Sequence, residues 1–442
     1  MNSPLDKQYT FPTLILFSLP NIIMMIFLSL YTIVDGIFVS RFVGTTALSA
    51  VNMVYPLVCI EMAVGIMLAT GGSAVIAKKL GERRDDEARG DFSLLVLISA
   101  LVGVVMAVLG LLFLDEIVLA LGSSEDQFEL CRSYGGIILA FSPCFFLQTA
   151  FQTFFVTAGR PVLGLFTTVA AGIANIVLDY LFIAVFDMGI AGAALATGIG
   201  YCIPAVAGLL FFALARKNSL HFVRPSADGK MLLAACANGS SEMVTNLANA
   251  VTTFLFNIVF MRFYGEDGVA AITIVLYFQF VFTAIHFGYA MGIAPIVSYK
   301  YGAGDVPQLK KVFNCSLVFL SVASVASFAL SLLVLEPALT IFTDPAANVF
   351  ALTMEGFPIF AVGFLFMGVS IFASALFTAF SDGKVSAIIS FARTFVFLVG
   401  AVLLLPLILD KSGVWLAVPV AEALGAVVSV AYLIAKKRKY NY

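Results

Sequence analysis

Apolar runs long enough to cross a bilayer recur about every 35 residues, from one end of the 442-residue chain to the other. A chain of this pattern has few folds open to it, because hydrocarbon offers no hydrogen bonds and each crossing must pair its own backbone groups. Strand-like alternation is absent, which excludes a barrel and leaves helices. The approximate spans are 11–40, 45–74, 92–120, 133–157, 162–186, 190–214, 231–261, 269–298, 312–335, 350–378, 385–409 and 413–435. The chain is 61% hydrophobic and 11% charged, with a mean hydropathy of +1.05, outside the soluble globular range. The fold class is therefore an all-α integral membrane protein of twelve transmembrane helices. No small-residue cleavage site follows the first apolar region, so it reads as a retained helix rather than a signal peptide.

Of the 24 Lys and Arg, 19 lie on one side of these spans and 4 on the other, with Arg393 inside a span. The rich side holds "KKLGERRDDEARGD" at 78–91, "RKNSLHFVRPSADGK" at 216–230, "KYGAGDVPQLKK" at 300–311 and "KKRK" at 436–439. The positive-inside rule makes that side cytoplasmic and puts both termini there. Six scattered cysteines, five of them inside apolar spans, read as packing residues rather than metal ligands or disulfides.

The segment 216–230 is the longest polar break and divides the chain into bundles 1–215 and 231–442 of six helices each. The two resemble each other at one offset. "SRFVGTTALSA" at 40–50 aligns with "MRFYGEDGVAA" at 261–271, matching Arg41 to Arg262 and Gly44 to Gly265. The same shift of 221 carries "TGGSAVIAKKLG" at 70–81 onto "MGIAPIVSYKYG" at 291–302. Six helices is an even number, so the repeats are parallel, related by a pseudo-two-fold axis along the membrane normal. In transporters built this way the cavity lies between the halves, and one half rocks against the other.

Ionisable residues cost about 2.5 to 3.5 kcal/mol each at mid-bilayer on insertion scales, so each needs a partner or a function. Those well inside the spans are Asp35, Glu61, Asp179, Glu242, His286, Arg393 and Glu422, with Glu355 near a helix end. Asp179 and Thr197 share a depth on the outer side of centre, Asp35 lies further out, and Asn175 sits one turn from Asp179 on the same face. This set supplies oxygen ligands for a hard cation such as Na⁺, or a carboxylate pair that binds a proton; the bland alternative is that each acid satisfies a neighbouring backbone or hydroxyl group. The repeat positions hold Phe256 opposite Asp35, and Val402 and Leu403 near the counterpart of Asp179, so the acid site belongs to the first bundle. Glu242 and His286 fall at similar depth, where they either neutralise each other or line a cavity. Arg393 and Glu422 read as a structural ion pair, and Glu61 has no evident partner. Gln148, Gln152, Tyr277 and Gln279 suit a cavity wall or serve as polar glue between helices.

No G-x-x-x-x-G-K-[ST] phosphate loop and no nucleophile-base constellation occurs in the sequence, which argues against an ATP-driven pump and against an enzyme.

Four stretches resemble the multidrug and toxic compound extrusion (MATE) family, bacterial branch: "SLYTIVDGIFVSRFVG" at 29–44, "FFVTAGRP" at 154–161, "NIVLDYLFI" at 175–183 and "GIAGAALAT" at 189–197. The resemblance covers essentially the whole chain. It implies a secondary active exporter of organic, often cationic, compounds in antiport with Na⁺ or H⁺, needing no other cofactor. The partners it implies are the lipid bilayer and those small molecules, with no nucleic acid, and the chain is read as a monomer in the bacterial cell membrane. The family's cation-coupling residues fall on Asp35, Asn175, Asp179 and Thr197, the first-helix proline that bends in some members on Pro20, and a second-site acid on Glu242. A helix-4 asparagine of some members is missing, with Gln148 and Gln152 nearest. The alternative cargo within the same superfamily is a lipid-linked or amphipathic substrate, flipped by a cationic cavity for which Arg393 and His286 are the candidates.

Overall fold

The computed structural model describes residues 4–38, 42–123, 125–214 and 218–442, with the backbone alone for 36–38, 45, 48 and 126. Arg41 of the repeat motif and residues 216 and 217 of the linker lie outside the described residues. No strand occurs among the described residues. Among the described residues, eight helices are long and apolar enough to cross a membrane. Two of the eight break at one non-helical residue, Gly265 and Asp410, and hold two spans each. Two pairs of shorter helices, bent by 52° and 49°, complete twelve.

In chain order the spans are α1 (Phe11–Phe38), α2 (Thr45–Gly81), α3 (Asp85–Leu112), α4 (the bent pair Glu125–Ala140 and Ser142–Thr157), α5 (Pro161–Asp179, extended by a π-helical turn at Tyr180–Val185) and α6 (Gly189–Leu214). The second set is α7 (229–264), α8 (266–302), α9 (Val306–Phe342), α10 (the bent pair Asn348–Ala361 and Phe364–Ala379), α11 (383–409, with a π-helical stretch at Ala392–Val399) and α12 (411–440). The largest departure from the expected boundaries is α3. It begins at Asp85 rather than near 92, because Asp85, Asp86 and Glu87 occupy its first turn, where acids complement the helix dipole. It stops at Leu112, and Leu114–Ala120 forms a separate short helix.

The repeat reappears in the backbone. Left-handed residues recur 221 apart: Gly44 (φ 113°) with Gly265 (68°), Arg83 (62°) with Gly304 (68°), and Gly189 (56°) with Asp410 (48°). Arg83 and Asp410 hold a conformation that suits glycine, at a cost of about 1 to 2 kcal/mol, so the turn itself is retained where the residue type is not. The bend of α4 at Phe141 and that of α10 at Val362 share the same spacing.

The chain forms two compact units. One contains Phe27–Gly239 with the residues up to Lys7 and Ser298–Gly304; the other contains Gln8–Ile26, Ser240–Val297 and Asp305–Tyr442. α1, α7 and α8 are thus each divided between units. The core of the first includes Ala47, Val54, Tyr134, Ile138, Ile190 and Ala194. A phenylalanine group built on Phe92, Phe154 and Phe212 lies beside the linker, whose Phe222 stacks on Phe92 at 5.3 Å. The linker is held by side chains of α3: Val223 N–H donates to Ser93 Oγ at 3.0 Å and the Ser226 hydroxyl to Asp91 at 2.8 Å. Asp91 also pairs with Lys79 at 2.5 Å. In the second unit Phe256, Phe260, Ile272, Phe357, Phe364 and Trp415 form the core. Large apolar residues such as Leu16, Leu112, Leu333 and Ile434 are about 70% exposed, as side chains facing hydrocarbon are. All six cysteines are free thiols, and the sulfurs of Cys144 and Cys202 lie 2.8 Å apart.

Two helices of the first unit cross in near backbone contact. A Cβ on Gly71 of α2 would run into the Ala235 carbonyl of α7, and one on Gly239 of α7 would run into the Met67 carbonyl of α2. Both obstacles are backbone and cannot swing aside. Gly71→Val and Gly239→Val should each lower the stability of the purified protein by about 1 to 3 kcal/mol, read as a drop in melting temperature in detergent, while Gly229→Ala, in open space, should not.

Candidate functional site

The polar centre of the first unit is assembled from four helices. α5 supplies Asn175 and Asp179, 1% and 0% exposed, on one face because residues four apart coincide. Asp179 closes the regular part of α5, and the π-helical turn starts at the next residue; such widened turns recur at functional positions in helices. α1 brings Asp35, whose carboxyl faces that of Asp179 closely enough for a hydrogen bond. α6 brings Thr197. Turned so that both its ends are satisfied, the Asn175 amide donates to Asp179 Oδ2 at 3.0 Å and accepts from the Thr197 backbone N–H at 3.1 Å. The structure therefore brings together Asp35, Asn175, Asp179 and Thr197.

One oxygen of each acid, Asp35 Oδ1 and Asp179 Oδ1, is buried with no hydrogen-bond partner among the described residues. Leaving a buried acceptor unmade costs about 1 to 3 kcal/mol, more when it is charged. Such atoms on two neighbouring carboxyls suit a proton or a hard cation, both of which oxygen ligands accept.

Three tyrosines, Tyr31 of α1, Tyr134 of α4 and Tyr201 of α6, lie within electrostatic reach of Asp35, and the first two of Asp179 as well. Sequence reasoning missed them, although Tyr31 stands four residues before Asp35 and Tyr201 four after Thr197, on the faces that carry the polar groups. Tyr31 and Tyr201 also line a cavity with Gln148, Gln152, Thr168 and Gly200. Gln152 Nε2 donates to Thr168 Oγ1 at 3.0 Å. The volume, about 30 Å³, holds one or two waters and no organic cargo. Glu61, for which the sequence offered no partner, accepts a short hydrogen bond from Ser142 at the bend of α4.

The MatE family model matches the chain twice, over residues 20–181 and 243–403, once in each bundle and together over well more than half of it. The chain belongs to the MatE family. Its relatives include the multidrug export protein MepA of Staphylococcus saprophyticus, 22% identical over 374 residues, and MepA of Staphylococcus haemolyticus, 24% identical over 373. The first alignment covers 82% of each chain, the second 82% of this chain and 81% of the relative. Among solved structures, a MATE transporter in complex with MaL6 superposes with a TM-score of 0.93 at 21% identity, covering 99% of this chain and 97% of that one. A Vibrio cholerae MATE transporter, VcmN, superposes at 0.90 with 18% identity and 98% coverage of both. The twelve helices thus adopt the two-bundle MATE fold, and the chain is a multi-pass membrane protein of a transporter family.

The second unit of this MatE chain treats its charges differently. Arg393, in the π-helical stretch of α11, donates from Nε to Glu422 Oε2 at 2.8 Å and from a terminal nitrogen to Oε1 at 2.7 Å, a two-pronged pair. Glu242 and His286 do not pair with each other. Both lie in the field of Arg393, and His286 is held by Ser324 Oγ and the Phe282 carbonyl, each at 3.2 Å. Tyr277, 40% exposed, stacks on Phe342, and neither it nor Gln279 lines the cavity described above. Pro20 stands within a continuous α1. Removing either member of the Arg393–Glu422 pair strands a buried charge, so Arg393→Met and Glu422→Leu should each destabilise by about 3 to 5 kcal/mol, and the double variant by far less. Melting curves of the four proteins in detergent decide it: a double variant at the additive position means that the two charges do not support each other.

Proposed function

We propose that this protein is a secondary active multidrug exporter that moves small organic, often cationic, compounds out of the bacterial cell in exchange for an inward cation, by alternating access of its two bundles. The observation that carries the reading is the pair of orphaned carboxyl oxygens at Asp35 and Asp179, in a family of transporters and in a chain with no nucleotide-binding loop. The MepA relatives, named as multidrug exporters, support the choice of cargo. The charge distribution supports a cell-membrane protein with both termini in the cytoplasm. Asp35, Asn175, Asp179 and Thr197 hold the coupling ion, and Pro20 is the point about which α1 bends. Glu242, beside Arg393, is a second place where a cation can be felt.

Between the two ions, the geometry favours the proton. Two carboxyls within hydrogen-bonding reach need a proton between them, and the Asn175 oxygen that would help to ligate Na⁺ is already engaged by the Thr197 N–H. Arg393, the cation that a pyrophosphate-flipping cavity would use, has its carboxylate partner in Glu422, which supports the exporter over the flippase.

Asp35→Asn and Asp179→Asn should each abolish uphill export of ethidium from cells while leaving expression and membrane insertion intact. Wild-type efflux in both variants refutes the coupling role. Cargo and ion also share one coupling energy, since linkage is reciprocal. A coupling of about 1 to 3 kcal/mol predicts a 5- to 150-fold loss of ethidium affinity when the ion saturates its site. For a proton, the loss follows lowered pH without Na⁺; for Na⁺, it follows added Na⁺ at fixed pH. Equilibrium affinity indifferent to both ions excludes antiport.

A further inference from the structure

The last turn of α12 is fastened down rather than left to swing in water. The Tyr440 hydroxyl donates to Asp382, the residue that caps the start of α11, and the Tyr440 ring stacks on Phe380, just past the end of α10, at 4.5 Å. Asn441 takes a left-handed conformation (φ 56°) that turns the chain back. The Tyr442 hydroxyl then donates to the Leu433 carbonyl at 2.7 Å, and its ring packs against Phe380 and against Phe313 of α9. Just before these ties stand four consecutive cations, Lys436 to Lys439, and a fifth, Lys384, lies in the first turn of α11, two residues beyond Asp382. Among the described residues, the acid that pairs with any of the five is Asp382, which takes Lys439 at 3.3 Å. Lys384, Lys437 and Arg438 are exposed and stay outside that pair.

The free cations continue a surface that meets hydrocarbon. Leu424, Val427, Val430 and Ile434 are exposed along one face of α12, and Lys437 and Arg438 prolong that face three and four residues beyond Ile434. α11 repeats the pattern, with Lys384 four residues before Ile388 and seven before Phe391, both exposed. A flexible basic tail attracts anionic lipid diffusely. A helix end tied to its neighbours instead presents its donors in place, so less freedom is lost when a phosphate binds. The planar fork of Arg438 suits two phosphate oxygens at once.

We propose that this end of α12 is a binding site for an anionic phospholipid, with the acyl chains against Val427, Val430 and Ile434 and the phosphate held by Lys437 and Arg438. Lys384 adds to the positive field from the other side of the Asp382–Tyr440 link. Five cations against one carboxylate repel the ammonium of a zwitterionic headgroup, so the site prefers a lipid with net negative charge.

The test uses the full-length protein in vesicles of phosphatidylcholine and phosphatidylglycerol, with a trace of either lipid carrying a photoactivatable group on an acyl chain, and maps the labelling within residues 424–434. Phosphatidylglycerol should label this stretch in preference to phosphatidylcholine. The preference should fall by about 5- to 25-fold in Lys437→Gln/Arg438→Gln, at about fivefold for each cation near the surface. The single variants, each expected to lose about fivefold, serve if the double variant does not fold. Lys7→Gln/Arg224→Gln removes the same charge at exposed positions outside the spans and should leave the preference unchanged. Equal labelling by the two lipids in the wild-type protein overturns the proposal. So does an equal loss in the two double variants, which is the mark of diffuse surface charge. Labelling that soluble glycerol 3-phosphate suppresses at constant ionic strength also overturns it, because a phosphate without chains then suffices.

Discussion

Hydrocarbon cannot hydrogen-bond, and nearly every feature of this protein is a response to that. Backbone groups are paired inside helices, and where a helix is interrupted the freed groups are taken up locally: at the bend of α4, Phe141 N–H reaches the carbonyls of both Ile137 and Ile138. Threonine and serine hydroxyls along the spans return to the carbonyl four residues earlier, as Thr70, Thr153, Thr252 and Ser429 do. A polar side chain left unmade in such a setting is costly, which makes the unmade ones informative.

The two units answer the same constraint with different pairings. The second neutralises Arg393 with a two-pronged carboxylate and ties several hydroxyls to one another, with Ser241, Thr378, Ser386, Ser374 and Ser390 forming a buried chain. The first keeps two carboxyls near each other with one unpartnered oxygen on each, within electrostatic reach of tyrosines. One duplicated architecture thus carries a bidentate ion pair in one half and a pair of acids in the other.

Small side chains matter as much as polar ones. The crossing of α2 and α7 at Gly71 and Gly239 brings carbonyls to where a methyl group would stand. Close crossings of this kind are how helices associate in a solvent as apolar as their own side chains, where packing replaces the hydrophobic drive.

The span count, the duplication and the polar set on α1, α5 and α6 were all legible in the sequence, because a bilayer imposes a fixed apolar length and a high cost on charge, and both leave marks that composition and spacing record. The 221-residue repeat even identified turns whose left-handed backbone the structure shows at Gly44 and Gly265. What lay beyond reach were relations across helices. Whether Glu242 meets His286 or Arg393, which tyrosines lie near the acids, and that Ser142 answers Glu61 depend on the rotation of each helix about its axis and on the bend of α4. Helical periodicity gives the face of a residue but not which neighbour that face meets, and in a chain whose spans are apolar nearly all round the periodicity is too weak to orient them. Sequence determined which groups must be buried; only the packing of one helix against another decided what each of them touches.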